Sequence, residues 1–383
     1  MSTLLSVSPL RDPRSMLRKL TSTAVLARAL SSVAAAVVAP RRVVFLGTPE
    51  VAARSLEKLL AASKQGEGGG FELAAVVSQP PTKSGRKMKL TPSPVHQLAE
   101  AEGITLFTPP NAKDEAFLAA LGAIEPDLCI TAAYGCFLPQ RFLDMPKFGT
   151  LNIHPSLLPL YRGAAPLQRC LEAGDPVTGV TVAFTVLAMD AGPVLRQVTR
   201  DLDGSEQSPE LLMEMFETGT DALVEALPSV WDGSCQAQLT PQDGDRATKA
   251  AKVSREEAEV RLDLLSAREV HNRGRGFAGW PGIWTELDLG DGKPAVRAKL
   301  LRTAVADDTP LPTGGDASAS REVTLRADKK ALELTCADGS VLEVSELTLP
   351  GKKPVDAKSF WNGLNKRTAR WVGHDELSAP PQE

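Results

Sequence analysis

Short apolar, β-branched runs alternate with segments of helical periodicity through the first two thirds of this chain, and that alternation restricts the fold more than any other feature. Val43-Val44-Phe45-Leu46 runs into Gly47-Thr48-Pro49 and reads as a buried strand and its turn. From Pro49 to Leu60, apolar Val51, Ala52, Leu56, Leu59 and Leu60 recur at helical spacing. Further strands are expected over residues 73–77, 127–132, 149–154, 179–185 and 194–199. Helices are expected over 94–102, 114–124, 164–173 and 210–227. Early strands that alternate with helices predict an α/β domain with a mostly parallel sheet.

The pattern changes after residue 238. Residues 239–254 are polar, charged and poor in large apolar side chains, and read as an interdomain linker. Beyond them come short strands over 284–289, 295–301, 322–326, 331–335 and 341–347, with Asp338-Gly339 as a hairpin signal. That is the pattern of a small β-barrel over residues 255–383. Residues 307–321, rich in Pro, Thr, Gly, Ser and Ala, read as an inserted loop. Residues 1–40 carry Arg11, Arg14, Arg18, Lys19 and Arg28 against Asp12 alone and are rich in Ser, Ala and Leu. This is the profile of a transit peptide, so a mitochondrial address is expected, with the chloroplast as the alternative.

Composition narrows the chemistry. The formal net charge is −4, so a nucleic-acid partner would have to be held by local basic patches. Cys129, Cys136, Cys170, Cys235 and Cys336 are scattered, with no Cys-x-x-Cys pair. Their odd number argues against a disulfide framework, and no metal site is expected. No apolar run reaches the roughly 18–20 residues that span a bilayer, so no membrane partner is expected. Gly47-Thr48-Pro49 is followed by neither a Gly-x-Gly-x-x-Gly nor a Walker lysine, which argues against a dinucleotide or ATP site.

The segment Asn152-Ile153-His154-Pro155-Ser156-Leu157-Leu158-Pro159 sets an amide and an imidazole two residues apart at a strand end. Alternate strand residues point the same way, so Asn152 and His154 share one face and Ile153 packs on the other. The prolines that follow make a loop, and a strand end opening into a loop is where open α/β sheets place ligands. This segment resembles the signature of the folate-dependent formyltransferases. Met189-Asp190-Ala191-Gly192-Pro193-Val194-Leu195 resembles that family's downstream aspartate motif, and residues 43–50, 85–95 and 162–168 resemble three more of its segments.

The resemblance implies a Rossmann-like catalytic domain over residues 41–238, followed by an OB-like β-barrel. Formyl transfer passes through a tetrahedral oxyanion and needs a donor to that oxygen and a route for the amine's proton, but no covalent nucleophile. The resemblance assigns oxyanion stabilisation and acid catalysis to His154, placement of the formyl oxygen to Asn152, and tuning of His154 with proton relay to Asp190. It makes 10-formyltetrahydrofolate the co-substrate, with Ser156, Leu157, Leu158 and Pro159 lining the folate pocket. Lys83, Arg86, Lys87 and Lys89 resemble the basic loop of the branch that acts on methionine carried by charged initiator tRNA, and such a loop can grip acceptor-stem phosphates. A monomer is expected.

Two departures stand out: Leu160 occupies a position that is often basic, and Ala191 and Pro193 sit closer to the branch acting on glycinamide ribonucleotide, so a small amine is the alternative acceptor. Lys352, Lys353, Lys358, Lys366, Arg367 and Arg370 interleave with Phe360, Trp361 and Trp371. That segment either cradles tRNA backbone, or its aromatics pack the barrel and its charges are solvated.

Overall fold

The structure is a computed structural model and describes residues 40–84, 88–306 and 320–373. In chain order the first domain contains β1 (Arg41–Gly47), α1 (Glu50–Gln65), β2 (Phe71–Val77), β3 (Thr82–Ser84), β4 (Lys89–Thr91), α2 (Pro94–Ala101), β5 (Leu106–Phe107) and α3 (Glu115–Ile124). There follow β6 (Leu128–Ala132), α4 (Gln140–Leu143), β7 (Thr150–His154), β8 (Arg162–Gly163), α5 (Pro166–Ala173), β9 (Val177–Phe184), β10 (Val194–Asp201) and α6 (Ser208–Trp231).

The main sheet has the order β10-β9-β7-β6-β1-β2-β5. β7, β6, β1, β2 and β5 run parallel, and β9 joins antiparallel to both β7 and β10. The chain first builds outward from β1 through β2 to β5, then crosses to lay β6 and β7 on the other side. That reversal opens a crevice at the carboxyl ends of β1 and β6, beside the end of β7. Thr48 Oγ1 and Gln79 Nε2 both donate to the Tyr134 carbonyl, at 3.1 and 2.9 Å, and tie the connections after β1, β2 and β6 together there. The central strands β1 and β6 are buried almost along their length because helices cover both faces, whereas the edge strand β10 is largely exposed. On one face α6 approaches closely enough that a Cβ on Gly219 would lie 2.6 Å from both Ile153 and Val180. Ile153 therefore packs under α6, and Asn152 and His154 face the other way.

The segment joining the domains contributes β11 (Lys249–Ala250), and the second domain contains α7 (Ala267–Gly276), β12 (Ile283–Asp288), β13 (Val296–Val305), β14 (Glu322–Leu325), β15 (Leu332–Thr335), β16 (Val341–Thr348), β17 (Val355–Asp356), α8 (Ala357–Gly363) and β18 (Ala369–Trp371). β13, β12, β18, β14, β15 and β16 follow one another antiparallel, and a β13–β16 pairing closes them into a barrel. Val323, Leu332, Leu334, Leu342, Val344, Phe360 and Trp371 are buried in it, with Trp361 packed at its margin. The C-terminal aromatics therefore pack the barrel, while Lys352, Lys353, Lys358 and Lys366 are exposed. Residues 1–39, Arg86, Lys87 and most of the expected inserted loop lie outside the described residues.

The domains meet along α5 and α7. Arg169 reaches across to Glu257 through two hydrogen bonds of 2.7 and 3.1 Å, and Arg273 Nε pairs with Glu172 at 3.2 Å. At Gly276 the backbones touch: a Cβ there would lie 2.6 Å from the Gln168 carbonyl oxygen. Backbone cannot rotate aside, so Gly276→Leu is expected to lower the unfolding free energy by about 1–3 kcal/mol in denaturant titration. Gly363→Ala, at a position with open space around it, should change it by less than about 0.5 kcal/mol.

Candidate active site

β7 is paired with β6 through Thr131↔Asn152 and with β9 through Ile153↔Val182 and His154↔Thr181. This register puts Thr131 beside Asn152. The Thr131 hydroxyl donates to Asn152 Oδ1 at 2.7 Å, which turns the amide nitrogen the opposite way. Among the described residues, Asn152 Nδ2 donates to no protein group and remains an N–H donor for a bound molecule.

His154 is buried, with 4% of its surface exposed. Its Nε2 lies 3.0 Å from the Tyr161 carbonyl oxygen. A carbonyl only accepts, so Nε2 carries the proton, and Nδ1 presents a lone pair in the neutral ring. Nδ1 faces Asp190 Oδ1 at 3.8 Å. Burial pushes the His154 pKa below the ordinary imidazole value, against the opposing pull of the Asp190 carboxylate and the Tyr161 carbonyl. The resting ring is therefore neutral near pH 7, with a basic nitrogen turned toward a carboxylate.

Asp190 is held from two sides. Its Oδ2 accepts the Gly163 backbone N–H at 2.9 Å, and its backbone sits at φ +50°, the left-handed region that Asp tolerates better than most residues. Two residues on, a Cβ at Gly192 would fall 1.7 Å from the Phe184 carbonyl oxygen, so only glycine lets this loop return to β10.

The loop after His154 is built by its own side chains. Ser156 Oγ donates to the Leu160 carbonyl at 2.7 Å. Thr181 Oγ1 donates to the Ser156 carbonyl at 2.6 Å and accepts from the Leu158 N–H at 3.1 Å. Leu158 is buried with Ala183 and Val194, Leu157 packs on Gly179, and the Pro159 carbonyl accepts from the Thr248 N–H at 3.3 Å. Tyr161, at φ +60°, gives its N–H to Thr248 Oγ1 at 2.7 Å and its hydroxyl to Asp175 at 2.7 Å. Burial and that carboxylate both push the phenol's pKa up, so it stays a neutral donor. Exposed apolar side chains stand on the flanking connections: Phe137 after β6, and Val186, Leu187 and Met189 leading into Asp190.

The structure thus brings Asn152, His154 and Asp190 together, with Ser156–Pro159 forming the loop beside them. Lys83 and Lys89 are exposed on the β3–β4 hairpin, opposite Leu90 and Ser84 respectively. Sequence reasoning did not single out Thr131, Thr181, Gln242 or Thr248. A threonine inside the otherwise apolar Leu128–Ala132 run was a signal for the first, whereas the last two sit in what read as a featureless linker. Among the described residues, no group of three or more His, Cys, Asp or Glu is placed to hold a metal ion, and no helix is long and apolar enough to cross a membrane.

Comparison with known proteins agrees with this geometry. A family model for formyl transferase matches residues 41–227, and one for the formyl transferase C-terminal domain matches residues 252–365. The chain is a member of the formyl transferase family. Among characterised relatives, the methionyl-tRNA formyltransferase of Macrococcus caseolyticus (strain JCSC5402) is 37% identical over 326 residues, which cover 85% of this chain and 96% of that protein.

Solved structures share the fold at lower identity. An N-formyltransferase from Helicobacter canadensis in complex with folinic acid and dTDP-3-aminofucose has a TM-score of 0.54 at 12% identity, covering 79% of this chain and 98% of that one. HypX from Aquifex aeolicus in complex with tetrahydrofolic acid has a TM-score of 0.51 at 17% identity, covering 85% of this chain and 47% of that one.

Thr131→Val removes the hydroxyl that orients Asn152 while keeping the shape of the strand. Transferase turnover is expected to fall about tenfold, the effect of one misaimed hydrogen-bond donor, with stability changed by no more than about 1.5 kcal/mol. Steady-state kinetics and denaturant titration of the same sample check both.

Proposed function

We propose that this chain transfers the formyl group of 10-formyltetrahydrofolate to the amine of methionine on charged initiator tRNA, for translation initiation in an organelle. The reading is carried by the Asn152–His154–Asp190 arrangement, found in a chain similar to a methionyl-tRNA formyltransferase over nearly its whole length. The organellar part rests on the basic, acid-poor composition of residues 1–40. The donor needs an N–H aimed at its formyl oxygen and a proton carrier near its amide nitrogen. Asn152 Nδ2 and His154 Nδ1 meet those two needs, and Phe137, Leu187 and Met189 offer apolar surface to a flat ring system.

In this reading the division of labour follows from the tautomer. With Nε2 committed to Tyr161, neutral His154 has no hydrogen at Nδ1 to offer an oxyanion. Asn152 Nδ2 takes that role, donating to the formyl oxygen as the amine adds to the carbon. His154 Nδ1 accepts the proton the amine loses, and the imidazolium so formed faces the Asp190 carboxylate. His154 then returns that proton to the folate nitrogen as its bond to the formyl carbon breaks. Lys83 and Lys89 on the hairpin, with Arg86 and Lys87 between them in sequence, would hold acceptor-stem phosphates. The exposed lysines of the barrel would hold more distant backbone.

The assay that tests this uses charged initiator tRNA and glycinamide ribonucleotide as parallel acceptors. Transfer is expected to the tRNA alone. His154→Ala should lose about 100-fold or more of turnover, as loss of a general base does, and still bind folate. Transfer only to the small acceptor, or near-normal turnover in His154→Ala, would refute the proposal. A second expectation concerns pH. Because the base must be neutral, kcat should fall as pH drops through a pKa below the ordinary value of about 6.5. Asp190→Asn removes the charge that favours the imidazolium, so in that variant the acid limb should move to still lower pH.

A further inference from the structure

The segment joining the domains does not pass the site by; it enters it. Thr240 exchanges two backbone hydrogen bonds with Val194, both of 2.9 Å. Two residues later Gln242 reaches the loop that carries Asp190. Its Nε2 donates to the Asp190 carbonyl at 2.8 Å and to the Gly192 carbonyl at 2.7 Å. Its Oε1 accepts from Arg162 Nε at 3.0 Å and from Arg162 Nη2 at 2.7 Å. Both hydrogens and both lone pairs of the amide are thus used, in one orientation only. Farther along, β11 lies parallel to β8, and the Arg162 and Ala164 N–H groups donate to the Thr248 and Ala250 carbonyls at 2.8 and 2.9 Å.

Residues 185–193 belong to no helix or strand, yet Asp190 must hold a left-handed backbone with its carboxylate aimed at His154. A conformation of that kind persists only where the surroundings fix it. The Gly163 N–H fixes the carboxylate. The Ala191 N–H donates to the Ala188 carbonyl at 3.2 Å, and the carbonyls on either side of it, of Asp190 and Gly192, are both held by one side chain, Gln242, which is itself braced by Arg162.

We propose that Gln242 is a positioning residue for formyl transfer, acting through the backbone of Asp190 and braced by Arg162, so that the interdomain segment is part of the active site. The inference rests on the catalytic reading of Asp190 given above. Gln242→Glu is the sharpest probe. It preserves size and the contact with Arg162, but sets a carboxylate oxygen, which cannot donate, against two carbonyl oxygens. Gln242→Ala removes the contact outright.

Both variants, Asp190→Asn and the two double variants are compared in the full chain, with 10-formyltetrahydrofolate and charged initiator tRNA. In each Gln242 variant kcat is expected to fall about 10- to 100-fold, as a displacement of about 1 Å does. KM for both substrates should stay within about threefold, which separates positioning from binding. In the Asp190→Asn background, loss of Gln242 should cost little more, because the two act as one unit. Near-normal kcat in Gln242→Glu beside a defective Asp190→Asn would overturn the inference and leave the role of Asp190 standing. Losses that multiply in the double variants would overturn it too, by assigning Gln242 a purely structural part. Normal turnover in Asp190→Asn alone would overturn both.

Discussion

The chemistry of this site depends on the hydrogen bond from His154 Nε2 to the Tyr161 carbonyl. It decides which ring nitrogen carries the proton, and therefore which can take one. An imidazole free to rotate would offer either nitrogen to a substrate; this one offers Nδ1. The carbonyl is itself fixed, because Tyr161 sits in a left-handed turn with its N–H on Thr248 and its phenol on Asp175. Each restraint comes from a different stretch of chain, and together they aim one oxygen atom.

The candidate site is built at a strand end by what is packed on it. β7 supplies two side chains on one face, β6 supplies the hydroxyl that turns Asn152, and β9 supplies Thr181, which holds the loop beyond His154. The return from β9 to β10 supplies Asp190. The second domain and the segment leading to it are tied to the same site, since α7 packs on the helix that follows the loop and β11 pairs with the loop itself.

Much of this was legible in the sequence where a local rule applied. Period-two alternation put Asn152 and His154 on one face and Ile153 on the other, and Gly219 beneath Ile153 shows why the other face is covered. The strands of the barrel follow their apolar runs and their Asp-Gly turn. What escaped notice lacked a local signature. α7, Ala-Arg-Glu-Val-His-Asn-Arg-Gly-Arg-Gly, has two glycines and three arginines that hide its apolar stripe, although Ser266 and Glu269 form a capping box at its start. The basic loop is a hairpin whose strands, at three residues each, are too short for a pattern. Gln242 looks like any linker glutamine, because its meaning lies in partners 52 and 80 residues away. The tautomer of His154 depends on a carbonyl whose direction only the folded turn defines.

The closed barrel has a consequence for recognition. Among the described residues each of its six strands has a neighbour on both sides, so the ring offers no whole strand edge with which to capture an extended segment of another chain. Its exposed long basic side chains include Lys352, Lys353, Lys358 and Lys366 beside Arg297, Arg302 and Arg370. Ammonium groups on flexible stems attract charge without fixing angles. Such a surface suits a polyanion of almost any sequence and weakens steeply as salt rises.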